Sequence, residues 1–253
     1  MISEKMQGYV KNSSAIRAMF EEGKRLASIY GAENVYDFSL GNPNVPAPEA
    51  VKEAALHVLN EEDSLMVHGY MSNSGYEDVR KAVADSLNNR FGTHYDESNL
   101  VMTVGAAGGM NVIFKTLLNP GDEVIAFAPY FGEYRAYVTN YDGVLKVVSP
   151  NTETFQPNLE AFEELLTEKT KAVIVNTPNN PTGVVYSAET LRNLAEILEK
   201  KQKEYGTSIY LISDEPYREL VYGGVEVQAA DSYEVALYVN GEKVSEAVEK
   251  PEI

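Results

Sequence analysis

The segment ISDEPYREL, residues 212–220, sets an acid, Asp214, at the end of the apolar strand pattern SIYLIS, with Pro216 and Tyr217 just after it. An unpaired carboxylate is costly to bury, so a cationic partner is expected for Asp214. Arg218 is close enough in sequence to be a structural partner; a ligand cation is the alternative. Three further stretches carry chemistry. TVGAAGGMN, residues 103–111, runs through small residues into a helix and so offers free backbone N–H groups to a phosphate, although a turn made for close helix–sheet packing reads the same way. APYFGEY, residues 128–134, sets three aromatic residues after a strand, where one ring can lie on a flat ligand or simply pack. NTPNNPTG, residues 176–183, holds amide groups in a proline-stiffened loop at a strand end; an ordinary Asn/Pro turn is the plain alternative.

The elements that must position these residues follow from hydrophobic periodicity. Residues 13–30 have mostly helical spacing, closed by Gly31. VYDFSLGNPNVPAP reads as a short strand and a Gly/Pro/Asn loop, after which Pro48 starts the helix of EAVKEAALHVLNEE. SGYEDVRKAVADSLNNRFG opens with a capping-box pattern, Ser74 and Glu77, and closes with Gly92. Strand and helix then alternate: NLVMTV, GGMNVIFKTLL, DEVIAFA, GEYRAYVTNY, GVLKVVS, NLEAFEELL, KAVIVN, SAETLRNLAEILEKKQKEYG and SIYLISDE. The strands are nearly continuous apolar runs, as expected where helices cover both faces of a sheet. The expected class is α/β: three layers, a mostly parallel sheet with helices on both faces, and a C-terminal β-hairpin around Asn240-Gly241. In open sheets of this kind ligands bind at the carboxyl ends of the strands, where all four stretches lie.

Composition narrows the function. The 253 residues are 44% hydrophobic and 10% aromatic, enough apolar surface for a packed core. A net charge of -17, with the acids scattered along the chain, argues against nucleic acid or an anionic membrane as partner. There is no Cys, which removes disulfides, thiolate metal sites and a Cys nucleophile, and fits a reducing compartment. His57, His68 and His94 have no metal-ligand spacing, so no metal is expected. No apolar run has the length of a membrane span, and the first residues have no signal-peptide core, so a cytoplasmic location is expected.

In their order and spacing, NTPNNPTG and SDEPY resemble the fold-type I aminotransferases that depend on pyridoxal phosphate, the aspartate aminotransferase-like class I/II group. SLGNPNVPAP, GYMSNSGYEDVRKAVA and LLNPGDEVIAFAPYFGEY support the resemblance, which runs from about the first helix to Val227. It implies an incomplete aminotransferase large domain: an N-terminal arm and substrate loop over residues 1–47, a pyridoxal-phosphate-binding domain over 48–227, and an appended tail over 228–253. It also implies roles. Ala106 and Ala107 hold the cofactor phosphate by backbone N–H, Phe131 stacks on the pyridine face, and Asn180 and Tyr217 hydrogen-bond the ring 3-oxygen. Asp214 pairs with the ring nitrogen, Gly41 and Asn180 meet the substrate, and Tyr70 reaches the cofactor phosphate of the other subunit of a homodimer. The implied reaction is amino-group transfer between an aspartate-like α-amino acid and a 2-oxo acid.

The family also has a lysine that holds pyridoxal phosphate as a Schiff base and moves the substrate proton, within a Ser-x-Ser-Lys stretch followed by an Arg. Beyond Asp214 this sequence has only Lys243 and Lys250, and VNGEKVSEA around Lys243 has neither the serines nor the Arg. The expectation is therefore cofactor bound without a covalent link, or not bound, and little or no activity. A noncatalytic scaffold derived from the large domain is the alternative. A nucleotide-binding oxidoreductase built on GAAGG is disfavoured, because the dinucleotide fingerprint is incomplete.

Overall fold

In the computed structural model, which describes residues 2–11, 15–38, 41, 45–227, 238–239 and 242–243, the chain divides into two units, Met1–Tyr70 and Met71–Ile253. The first is helical: α1 (Glu4–Lys11), α2 (Ala15–Tyr30), α3 (Glu49–Glu61) and the short α4 (Ser64–Val67). Gly31 ends α2 as expected, with φ 88° and its N–H donating to the Ala27 carbonyl at 3.0 Å. Ser13, the expected start of that helix, lies outside the described residues. Pro48, at φ -54°, occupies the N-cap of α3. Residues 35–38, the described part of the strand expected in VYDFS, are irregular, with Tyr36 and Phe38 exposed. A β pattern becomes a strand only beside a ladder partner, and among the described residues of this unit there is none.

The second unit carries α5 (Glu77–Phe91), α6 (Gly105–Leu117), β1 (Glu123–Phe127), α7 (Tyr134–Thr139), β2 (Val144–Val148), α8 (Leu159–Leu165), β3 (Thr170–Asn176), α9 (Ala188–Tyr205) and β4 (Tyr210–Asp214). The four strands form one parallel sheet in the order β2-β1-β3-β4. Side chains alternate between its faces with period two. Ile125, Phe127, Val173 and Val175 pack on one face with Phe162 of α8 and Leu191, Leu194 and Leu198 of α9. Val124, Ala126, Ala172 and Ile174 pack on the other with Met110 and Phe114 of α6 and Tyr134 and Val138 of α7. Burial on both faces is why the central strands β1 and β3 read as continuous apolar runs, and helices on the two faces produce the expected three-layer α/β arrangement. Ser187 caps α9, its hydroxyl accepting from the Thr190 N–H at 3.0 Å, and Gly206 closes it at φ 64°.

Three local expectations fail for identifiable reasons. NLVMTV is not a strand: residues 101–103 have no sheet assignment, and Val101, Met102 and Val104 are exposed. Among the described residues no strand lies beside them to complete a ladder. The Ser74–Glu77 capping box is absent, because Gly75 turns the chain at φ 95°, Tyr76 becomes the N-cap and Glu77 the first helical residue. Arg218 does not partner Asp214; its guanidinium pairs with Glu215 at 2.7 Å and lies over the Phe91 ring at 3.9 Å. At the chain's end, β5 (Tyr238–Val239) and β6 (Glu242–Lys243) pair antiparallel, Tyr238 opposite Lys243, as a hairpin requires. Its expected turn, Asn240-Gly241, lies outside the described residues. Among the described residues no helix is long and apolar enough to cross a membrane.

Candidate functional site

Parallel pairing puts the carboxyl ends of β1, β3 and β4 side by side, so residues far apart in sequence meet there. Asn176 and Asp214 are register partners at the ends of β3 and β4. The Asn176 side-chain amide donates to the Asp214 backbone carbonyl at 2.8 Å, and its oxygen accepts from the Asn180 backbone N–H at 2.7 Å. One buried side chain thus ties the strand ends together and fixes where the Asn180 loop begins. Asn179 stiffens that loop: its oxygen accepts from the Thr182 N–H at 3.1 Å and hydroxyl at 2.8 Å, and its amide donates to the Pro129 carbonyl at 3.4 Å. The loops after β1 and β3 are therefore joined. Asn180 itself is half-buried, and among the described residues its side-chain amide makes no hydrogen bond, which leaves it available to a ligand.

The partner of Asp214 is Tyr134, whose hydroxyl donates to the carboxylate Oδ2 at 2.5 Å. Tyr134 is 1% exposed at the start of α7. Burial first, and then the hydrogen bond and charge of Asp214, push its hydroxyl far above the ordinary tyrosine range, so it stays a donor. Asp214 is half-buried, and among the described residues no Lys, Arg or His forms an ion pair with it. Phe131 stands edge-on to Tyr134, ring centroids 5.7 Å apart at 83°. Nearby, burial pushes the Tyr186 hydroxyl up to about 12.

Ala106 and Ala107 form the first turn of α6, which packs through Met110 and Phe114 into the same cluster as Tyr134 and Phe131. The N-cap, Val104, has no side-chain acceptor, and Gly105 enters the helix at φ 67°. The Gly105 and Gly108 amides bond the Thr103 and Val104 carbonyls, whereas among the described residues those of Ala106 and Ala107 bond no acceptor. Two exposed amides at a helix start suit an anion. Tyr217 lies in the turn after β4, 38% exposed. Gly41 and Tyr70 belong to the first unit, both exposed. Lys243 is in β6.

Sequence reading missed Tyr134 and Asn176. Tyr134 had a signal: Tyr130, Phe131 and Tyr134 stand at offsets that bring side chains onto one side of a helical turn. Asn176 had only its place in a rigid loop, because its pairing depends on strand register.

A family profile described as Aminotransferase class I and II matches residues 32–245. An aspartate aminotransferase of Thermotoga maritima is 34% identical over 229 residues, 89% of this chain and 58% of that protein. A probable aspartate/prephenate aminotransferase of Thermus aquaticus is 38% identical over 185 residues, 73% of this chain and 46% of that protein. Among solved structures, an aminotransferase from Eubacterium rectale superposes with a TM-score of 0.87 at 45% identity, over 92% of this chain and 59% of that one. The chain thus spans about half the length of the relatives it matches.

Proposed function

The chain belongs to the class I and II aminotransferases, and from that membership we propose that its 253 residues hold pyridoxal 5′-phosphate without a covalent bond, as part of a site for amino-group transfer. The observation that carries the reading is the Asp214 carboxylate: half-buried, bonded by a neutral hydroxyl, and paired with no cation among the described residues. Such a group is complementary to a ligand cation, because leaving it unpaired costs desolvation energy that an incoming positive charge recovers.

The surroundings fit the remaining parts of that cofactor. The free Ala106 and Ala107 amides at the start of α6 suit a phosphate. Phe131 offers a ring face for a flat heterocycle, and Asn180 and Tyr217 offer hydrogen bonds to its 3-oxygen. Pyridoxal phosphate, when bound, supplies an electron sink for the electron pair of a substrate Cα–H bond. Asp214 serves that chemistry by holding a proton on the ring nitrogen, since a facing carboxylate favours the charged form. The substrates proposed are an aspartate-like α-amino acid and a 2-oxo acid, with Asn180 meeting the substrate. Tyr70, fully exposed at the end of the first unit, is proposed to reach the cofactor phosphate of a second subunit.

Moving the substrate proton needs a base at Cα, which the family's lysine provides. Lys243 and Lys250 are the lysines beyond Asp214, and neither lies in the Ser-x-Ser-Lys pattern. These 253 residues on their own are therefore proposed to bind the cofactor and to transaminate little or not at all. The test is an equilibrium titration of the purified chain with pyridoxal 5′-phosphate, read by cofactor absorbance. Saturable uptake, weakened by Asp214→Ala, is expected, and failure to saturate refutes the reading. A turnover in the range usual for enzymes, about 1–10³ per second, would refute the proposed lack of activity.

A further inference from the structure

We propose that Tyr134 is a positioning residue for the cofactor site: its hydroxyl orients the Asp214 carboxylate, leaving the second oxygen of that group presented to the cationic ring nitrogen of the bound cofactor. The inference rests on the reading of Asp214 given above.

The geometry supports it at both ends of the bond. On the tyrosine side, the ring cannot turn away. It is 1% exposed and packed with Met110, Phe114 and Val138. It lies edge-on to Phe131 at 5.7 Å and nearly parallel to Tyr130, with centroids 6.5 Å apart and planes at 12°. On the aspartate side, the main chain is fixed by Asn176, whose amide donates to the Asp214 carbonyl. Rotation of the carboxylate is the freedom that remains, and the 2.5 Å bond from Tyr134 removes it. One oxygen is engaged; among the described residues the other accepts no hydrogen bond.

The chemistry of the donor matters as much as its place. An arginine on Asp214 would neutralise the carboxylate and compete with the ring for it. Arg218, four residues on, is withheld: Glu215 takes its guanidinium at 2.7 Å and Phe91 lies beneath it at 3.9 Å. A tyrosine hydroxyl orients without supplying a charge, and its resistance to ionisation keeps it a donor. Because the same ring leans on Phe131, Tyr134 also links two groups proposed to contact the heterocycle, the acid at its nitrogen and the aromatic at its face.

A purely structural hydroxyl, satisfied by whichever acceptor lies nearby, predicts no dependence on the ligand's nitrogen. The experiment compares pyridoxal 5′-phosphate with its 1-deaza analogue, in which C–H replaces the ring nitrogen. Both are titrated into the unmodified chain, Tyr134→Phe, Asp214→Ala and the double variant, with far-UV circular dichroism as the check on folding. The unmodified chain is expected to prefer the nitrogen-containing ligand. Tyr134→Phe should lose about tenfold in affinity for that ligand and nothing for the analogue, and the double variant should bind no more weakly than Asp214→Ala. If Tyr134→Phe does not fold, Tyr134→Met, which also fills the space without a donor, takes its place. A variant that keeps the full preference for the ring nitrogen overturns the role of Tyr134 while the reading of Asp214 stands. An unmodified chain with no preference overturns both.

Discussion

Replacing Asp214 by Asn and, separately, by Ala divides its two tasks, accepting a hydrogen bond and carrying a charge. Ala leaves the Tyr134 hydroxyl, 1% exposed, without its acceptor, and an unsatisfied buried donor costs about 1–3 kcal/mol. Asn keeps a side-chain oxygen for that hydroxyl and loses only the charge assistance, about 1 kcal/mol if an ionised acceptor doubles an ordinary bond. With a urea slope of about 2 kcal/mol/M, the unfolding midpoint should fall by ~0.5–1.5 M for Ala and ~0.5 M or less for Asn. Far-UV circular dichroism is the suitable probe, because the chain has no Trp. Affinity for pyridoxal 5′-phosphate should behave differently. Both variants lose the negative charge, so both should bind ~10–150-fold more weakly, the equivalent of about 1.5–3 kcal/mol. If Asn unfolds as early as Ala, or binds as tightly as the unmodified chain, the division of tasks is wrong.

Three further outcomes follow from the core and the site. Raising the pH from about 10 towards about 12 should destabilise the fold: the unfolded chain releases tyrosine protons near the ordinary value, whereas burial keeps Tyr186 protonated up to about 12. The native state then holds more protons, so stability falls as pH rises, and Tyr186→Phe should flatten a plot of Tm against pH in that range. Phe162→Ala empties a fully buried position between α8 and the sheet and should cost about 3–5 kcal/mol in denaturant unfolding. Gly105→Ala meets open space at φ 67°, so only backbone strain opposes it, about 1–2 kcal/mol; an unchanged Tm would refute that.

The runs DEVIAFA and KAVIVN were legible as strands because each is apolar enough to be covered on both faces, and the intervening amphipathic stretches supply the cover; SIYLIS, at the sheet edge, was legible from its short apolar run alone. NLVMTV has the same local pattern and fails, since a strand needs a neighbour and the pattern says nothing about whether one is there. The Ser74–Glu77 spacing misleads in a similar way: a positive φ at Gly75 moves the helix start by two residues. At the site, Asp214, Asn180 and Phe131 could be picked out because their residue types and loops are unusual at strand ends. The partner of Asp214 could not.

Arg218 is four residues from Asp214 and charged, yet Tyr134, eighty residues away and neutral, holds the carboxylate. Element type and order come from local preferences, apolar periodicity and the residues that start and stop each helix, all of which act within a few turns of chain. Which side chain reaches Asp214 depends on strand order, on the register that sets Asn176 beside it, and on α7 packing Tyr134 against the sheet. Those are contacts between distant segments, settled by burial of the whole core.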